Sequence, residues 1–293
     1  MKKINYIVLI ALLFVSNSIL AQQESAFAFY RSNMNIVNPA YAGVDNETLL
    51  TTALRQQWTG IPEAPQTATF AFSMPLKKNV GMGISLANDK VFIENQTFLG
   101  IDFSYKLKMN ETIDMYLGVK AGGNFYKVNT TGLETYNVMS DPALGSINFF
   151  NPNIGAGAVV KTKKWNVSLS VPRLISTTRA KNDSGYASTD IDRPHFYLSG
   201  GYDFEVSNAL VLKPSVMLRY VNGAPVSIDL NSMLQIEKKF EFGVTYRTDK
   251  AYGMLASIKL SNHLLFGYAY EMSTRATMAM AKNTNELLLQ YKF

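Results

Sequence analysis

His195 and His263 are the only imidazoles in the chain, and cysteine is absent. Asp190 and Asp192 lie just before His195, so this stretch has the makings of an Asp–His hydrolytic pair, in which a carboxylate orients the ring that activates a nucleophile. No matched nucleophile or orienting group accompanies it, and the expectation is a solvated loop histidine. His263 falls at a turn at the other end of the strand pattern described below, so the two rings cannot share a site. Asn182, Asp183, Asp190 and Asp192 could offer oxygens to calcium, but their spacing fits no EF-hand, and an ordinary solvated acidic loop is expected. Without cysteine there is no disulfide framework, no thiolate-held zinc or iron–sulfur cluster, no thiol nucleophile and no lipoprotein anchor. Gly81-Met82-Gly83 and Gly155-Ala156-Gly157 are not phosphate loops, because no helix follows them. They read as strand glycines that relieve crowding at curved positions. No catalytic, cofactor-binding or metal-ligating set emerges.

The elements that must carry these residues repeat with a period of two. Ile113, Met115, Leu117, Val119 and Ala121 alternate with Asp114, Tyr116, Gly118, Lys120 and Gly122, and Leu99, Ile101, Phe103, Tyr105 and Leu107 with Gly100, Asp102, Ser104 and Lys106. Such rows form strands with one apolar and one polar side. Counting them gives about fourteen strands, an even number, as in single-chain outer-membrane barrels. The first is expected at 48–58, the seventh at 164–173 and the last at 283–293, with no ordinary helix between them. Short connections (Pro75 to Asn79, Met109-Asn110, Thr162-Lys163, Val206-Ser207, Lys238, Asn262) alternate with long polar ones at 129–148, 174–192 and 274–282. That parity predicts an all-β transmembrane antiparallel β-barrel with short periplasmic turns and longer extracellular loops.

Size decides which face meets lipid. Fourteen strands with apolar residues turned inward would enclose a dry void with many unmade contacts. Turned outward, those residues meet hydrocarbon, and the closed ladder satisfies every backbone group there. Asp102, Asp114, Lys120, Arg219, Asp229, Glu241, Arg247, Lys259 and Glu271 then line the lumen, their mixed signs suiting internal ion pairs better than a selective pore ring. Aromatic residues fall in two girdles, Tyr105, Trp165, Phe204, Phe240, Tyr291 and Phe293 at one end and Trp58, Tyr220, Tyr246 and Tyr252 at the other. Lys77, Lys78, Lys163, Lys164, Lys238 and Lys239 fall on the periplasmic rim. There they serve as anchors to anionic headgroups, about 1 kcal/mol per charge, or as a docking rim for a periplasmic partner.

The 293 residues carry 17% charged residues, a net charge of +6 and 47% hydrophobic residues. That balance excludes a disordered chain and a clustered basic nucleic-acid face. Met1-Lys2-Lys3, the apolar run Ile7 to Val15 and the small residue Ala21 have the layout of a cleaved signal peptide over 1–21. No later apolar run is long enough for a spanning helix. Residues 22–47 do not alternate and form a separate N-terminal non-strand segment, expected to pack into the lumen as a plug or across its lower mouth as a periplasmic cap. Residues 48–293 form the barrel.

Within that segment stands Asn38-Pro39-Ala40-Tyr41-Ala42-Gly43, where Asn-Pro starts a turn and Gly43 permits a left-handed backbone. It is followed by Arg55-Gln56-Gln57-Trp58 and then Ala64-Pro65-Gln66-Thr67. In this order, after a signal peptide and before a barrel ending in an aromatic residue, these elements resemble the PorP/SprF family of outer-membrane proteins of the type IX secretion system. Where the family tends to have Gly before Ala-Pro, this chain has Glu63. The resemblance implies a non-enzymatic accessory that helps export or anchor particular cell-surface proteins, gliding adhesins among them, that carry a C-terminal secretion signal domain. It implies partners among the type IX components, and in some members a periplasmic peptidoglycan-binding lipoprotein. The alternative is a general porin or hydrophobic-solute channel of the outer membrane.

Overall fold

The computed structural model describes residues 26–77, 79–129, 147–178, 191–248, 251–274 and 283–293. The expected signal peptide, Gln22 to Ser25, Lys78, Asn182, Asp183, Asp190 and most of the three long loops lie outside them.

Fourteen strands close into one antiparallel barrel: β1 (Leu49–Gln57), β2 (Gln66–Pro75), β3 (Val80–Val91), β4 (Glu94–Lys108), β5 (Asp114–Val128), β6 (Ile147–Lys161), β7 (Trp165–Val171), β8 (His195–Tyr202, continued by Phe204–Glu205), β9 (Leu210–Val221), β10 (Ser227–Ile236), β11 (Phe240–Arg247), β12 (Ala251–Lys259), β13 (Leu264–Ser273) and β14 (Asn283–Lys292). Each strand pairs with its neighbours in sequence, and β1 closes on β14 from Leu49↔Lys292 to Gln57↔Thr284. The Phe293 N–H donates to the Thr48 carbonyl (3.0 Å), which finishes the seam. The six short connections expected from the sequence lie at the end where β1 starts, called the turn end here. At the opposite, loop end, Phe92-Ile93 joins β3 to β4 in two residues, so not every connection there is long.

The faces divide as the alternation requires. On β4, Leu99, Ile101, Phe103, Tyr105 and Leu107 are exposed, while Gly100, Asp102 and Ser104 point inward and are buried. The apolar rows on neighbouring strands face out as well, with Val119 at 60% and Met254 at 73% exposure. In water this surface would be untenable; a bilayer is the medium that covers it.

The interior is not simply wet. Residues 27–46 run through it as short turns: 3-10 turns at Tyr30–Ser32, Pro39–Tyr41 and Val44–Asn46, and one helical turn at Met34–Val37. Their apolar side chains build three small cores with inward-facing strand residues. Phe29 packs with Met233, Leu255 and Leu288; Tyr30 and Met34 with Tyr197 and Met217; Ala40 and Val44 with Tyr116 and Val159.

The strand glycines have a different role from the one expected. A Cβ on Gly81 would lie 1.9 Å from the Ala42 carbonyl oxygen, one on Gly118 2.2 Å from the Ala40 nitrogen, and one on Gly157 2.1 Å from Asn38 Oδ1. These positions are bare so that the segment can rest on the wall, by its backbone at Gly81 and Gly118 and by the Asn38 side chain at Gly157. Curvature is not the reason. Gly155 makes the same allowance for Pro172, whose backbone crosses its inner face where β7 ends.

Candidate functional site

The site is the interior, built from the N-terminal segment and the wall that grips it. Asn38 starts the turn of the hexapeptide: its Oδ1 accepts from the Ala40 N–H (2.9 Å), and its Nδ2 donates to the Ala158 and Leu169 carbonyls at 3.4 and 3.5 Å. Pro39 at the first position of the turn has no N–H to satisfy. Gly43 takes the left-handed conformation (φ +68°), with the Met74 carbonyl oxygen 2.7 Å from where a Cβ would stand. Ser104 donates to the Ala42 carbonyl at 2.5 Å. Tyr41 is half-buried, and burial pushes its phenol above the ordinary range. Burial does the same to Tyr30, which donates to Ser215 Oγ at 2.8 Å.

Charged groups hold the segment along its length. Glu286 accepts the backbone N–H groups of Ala28 (2.8 Å) and Phe29 (3.0 Å) and pairs with Arg55 at 3.0 Å. Asn231 donates to the Ala28 carbonyl (2.9 Å). Lys120, buried, donates to the carbonyls of Ile36 (2.9 Å) and Asn35 (3.3 Å), to Ser85 Oγ (2.7 Å), and lies 3.3 Å from Asp102. Asp102 in turn accepts from Asn35 Nδ2 at 3.3 Å. One buried ammonium thus caps the carbonyl end of the helical turn and neutralises the carboxylate that holds the same turn's side chain.

Toward the loop end the charges form one network. Arg55 bridges Glu286 and Glu271; Arg247 bridges Glu271 (3.3 Å) and Asp229 (2.7 Å); Arg219 joins Asp229 at 3.1 Å. Three cations meet three anions, all nearly sequestered from solvent, so the expected internal pairing is realised. Glu286 is the member that the sequence does not single out. Its signal is parity: it stands directly opposite Arg55 across the closing seam. Of the other residues of that element, Gln56 faces outward, Gln57 donates its N–H to the Pro65 carbonyl (2.9 Å), and Trp58 sits at the turn beyond with φ +52°.

At the turn end a cavity of about 580 Å³ opens beneath the segment. Four ion pairs stand around it: Arg31–Asp203, Lys161–Asp45, Lys292–Glu47 and Lys213–Glu241 (2.7 Å). Lys77, Lys163, Lys164, Lys238 and Lys239 are all exposed at this end. Lys163 lines the cavity; the other four stand outside it, Lys164 beside Glu205 (3.5 Å) and Lys239 over the Phe240 ring (5.5 Å).

The two histidines are far apart along the barrel axis. His263 lies at the turn end, its Nδ1 2.8 Å from the Lys292 carbonyl oxygen. His195 begins β8 at the loop end and, contrary to the expectation of a solvated ring, is buried in the wall. Among the described residues no group of His, Cys, Asp and Glu could hold a metal ion.

Comparison with solved structures shows the same architecture. The outer membrane protein Omp33 of Acinetobacter baumannii aligns with a TM-score of 0.50 at 10% identity, over 86% of this chain and all of that one. The toluene transporter TbuX of Ralstonia pickettii aligns with a TM-score of 0.50 at 9% identity, over 87% of this chain and 92% of that one. Likeness at this identity establishes the fold alone. Comparison with curated protein sequences returns no match. The model of the type IX secretion system membrane protein PorP/SprF matches residues 19–291, nearly the whole chain. That match places this chain in the PorP/SprF family of type IX secretion system membrane proteins.

Proposed function

We propose that this barrel is a non-enzymatic accessory of type IX export that binds proteins and conducts little or nothing through its lumen. After removal of residues 1–21 it sits in the outer membrane with its turn end in the periplasm. Residues 22–47 act as a plug that leaves no conduit, and 48–293 as the barrel. There it helps export or anchor particular adhesin-like surface proteins that bear a C-terminal secretion signal domain. Its partners are the type IX components and, on the periplasmic side, a peptidoglycan-binding lipoprotein. The lysines of the turn-end rim, Lys77, Lys78, Lys163, Lys164, Lys238 and Lys239, take part in that docking. The hexapeptide Asn38–Gly43 and Arg55 serve by seating the plug.

The observation that carries this reading is the grip on the N-terminal segment. Backbone groups of Ala28, Phe29, Asn35, Ile36 and Ala42 are each bonded to a side chain of the wall. A loosely held obstruction would have no need of such fixtures. The porin or hydrophobic-solute alternative requires an open path and a lumen whose charges are free to select. In planar bilayers the purified protein should show only small, rare conductance steps, and affinity purification from the native outer membrane should bring down secretion components. Large steady conductance with no co-eluting protein would instead establish the channel.

A further inference from the structure

The turn-end cavity has an uneven charge balance. Its four carboxylates, Asp45, Glu47, Asp203 and Glu241, are each engaged by one of the ion pairs above. Six cations line the same space, and the two left over, Lys163 and Lys259, have no ion-pair partner among the described residues. Strand parity turns Lys259 inward, since Leu255 and Ser257 on the same face are buried. Lys163 stands in the β6–β7 turn at the mouth. The cavity therefore presents two unmatched, solvent-exposed ammonium groups along the lining of a recess of about 580 Å³. Lys77, Lys238 and Lys239 lie outside it, at the perimeter where lipid headgroups would stand.

We propose that this recess is a socket for an acidic segment of a periplasmic protein, with Lys163 and Lys259 as the groups that receive its carboxylates. The inference rests on the reading that the turn end faces the periplasm and docks proteins there. It goes further in naming the cavity as the receptor and anionic peptide as its ligand. Charge complementarity carries it. Every acid that would repel such a segment is already neutralised in place, two by cations of the wall that the plug's own end, Asp45 and Glu47, engages. The recess is enclosed by strands, so a phospholipid in the surrounding leaflet is separated from it by the wall, and an extended chain is the shape that can enter from the mouth.

The test uses the full-length protein in nonionic detergent and a fluorescein-labelled hexaglutamate peptide, followed by anisotropy. Wild type should bind hexaglutamate in preference to hexalysine. The K163E/K259E variant should lose roughly tenfold or more in affinity, and K90E/K108E, at two exposed lysines outside the docking rim, should stay within about twofold of wild type. Heat-modifiable gel mobility checks that both variants are folded barrels. Equal losses in the two variants would reduce the effect to diffuse surface charge and overturn the socket. So would an unchanged K163E/K259E protein, or displacement of the peptide by phosphatidylglycerol nanodiscs as effectively as by unlabelled hexaglutamate. The same variants taken through affinity purification separate the two ideas. Partners held by wild type and equally by K163E/K259E overturn the socket while protein docking stands. A wild type that holds no partner overturns protein docking, and the peptide measurement still judges the socket.

Discussion

Glu286 accepts two backbone N–H groups at the start of the segment and one arginine from the closing strand. Replacing it with alanine leaves the two buried N–H groups without an acceptor and Arg55 with Glu271 alone, a loss of about 3 kcal/mol. The expected result for Glu286→Ala is a barrel that still migrates as folded but exposes residues 26–47 to protease; an uncut segment would count against this anchoring role. The seated phenols give the segment a pH dependence. Burial raises Tyr30 and Tyr41 above the ordinary phenol value of 10.0, so both stay neutral in place while a released segment would ionise. Their contribution is complete below about pH 10 and declines as the pH climbs past that value. Protease access to the segment should therefore rise in alkali and stay flat between pH 6 and 9, which a pH series of limited proteolysis would check. At this scale the sequence is only partly legible. Asp102 and Lys120 are readable as inward charges from their own strands, but nothing local indicates that Glu286 grips a chain some 257 residues away.

The segment and the strands that carry it fit each other at bare positions. Gly118 lies beneath the Ala40 backbone, where a methyl group would come within 2.2 Å of the nitrogen. Neither side can yield easily, because strand β5 is locked in the ladder and Ala40 in its turn. Gly118→Ala is expected to unseat the hexapeptide without breaking the barrel. In planar bilayers this would appear as larger and more frequent conductance steps than wild type, with unchanged heat-modifiable mobility. A variant as silent as wild type would mean that the segment does not close the lumen. The strands themselves follow directly from period-two alternation, and their ends fall within a few residues of expectation. The seventh, expected at 164–173, ends at Val171, where Pro172 carries the chain inward over Gly155. Curvature is the natural reading of a strand glycine from sequence, since the chain that rests on it can be as remote as Ala40 is from Gly118, 78 residues away.

The whole molecule is turned inside out relative to a soluble protein, and that orientation can be tested on its outer surface. Ile101 stands in mid-strand on the outer face of β4. Ile101→Arg should reduce folding stability in lipid vesicles by about 2–4 kcal/mol, the cost of a cation near the bilayer midplane. The same change at an aqueous surface would cost almost nothing, so a neutral result would contradict the membrane orientation. Alternation and local motifs suffice to read the barrel, its strand count, its outward apolar face and its family. Those properties are written in a repeat of two residues and in local motifs, and each strand states its own parity. What fills the interior is set by the closed fold. Where the N-terminal segment lies, why particular glycines are bare, which charges pair and which lysines remain unmatched all depend on contacts between residues far apart in the chain. Alternation specifies that a side chain points inward; closure of the cylinder specifies what it meets there.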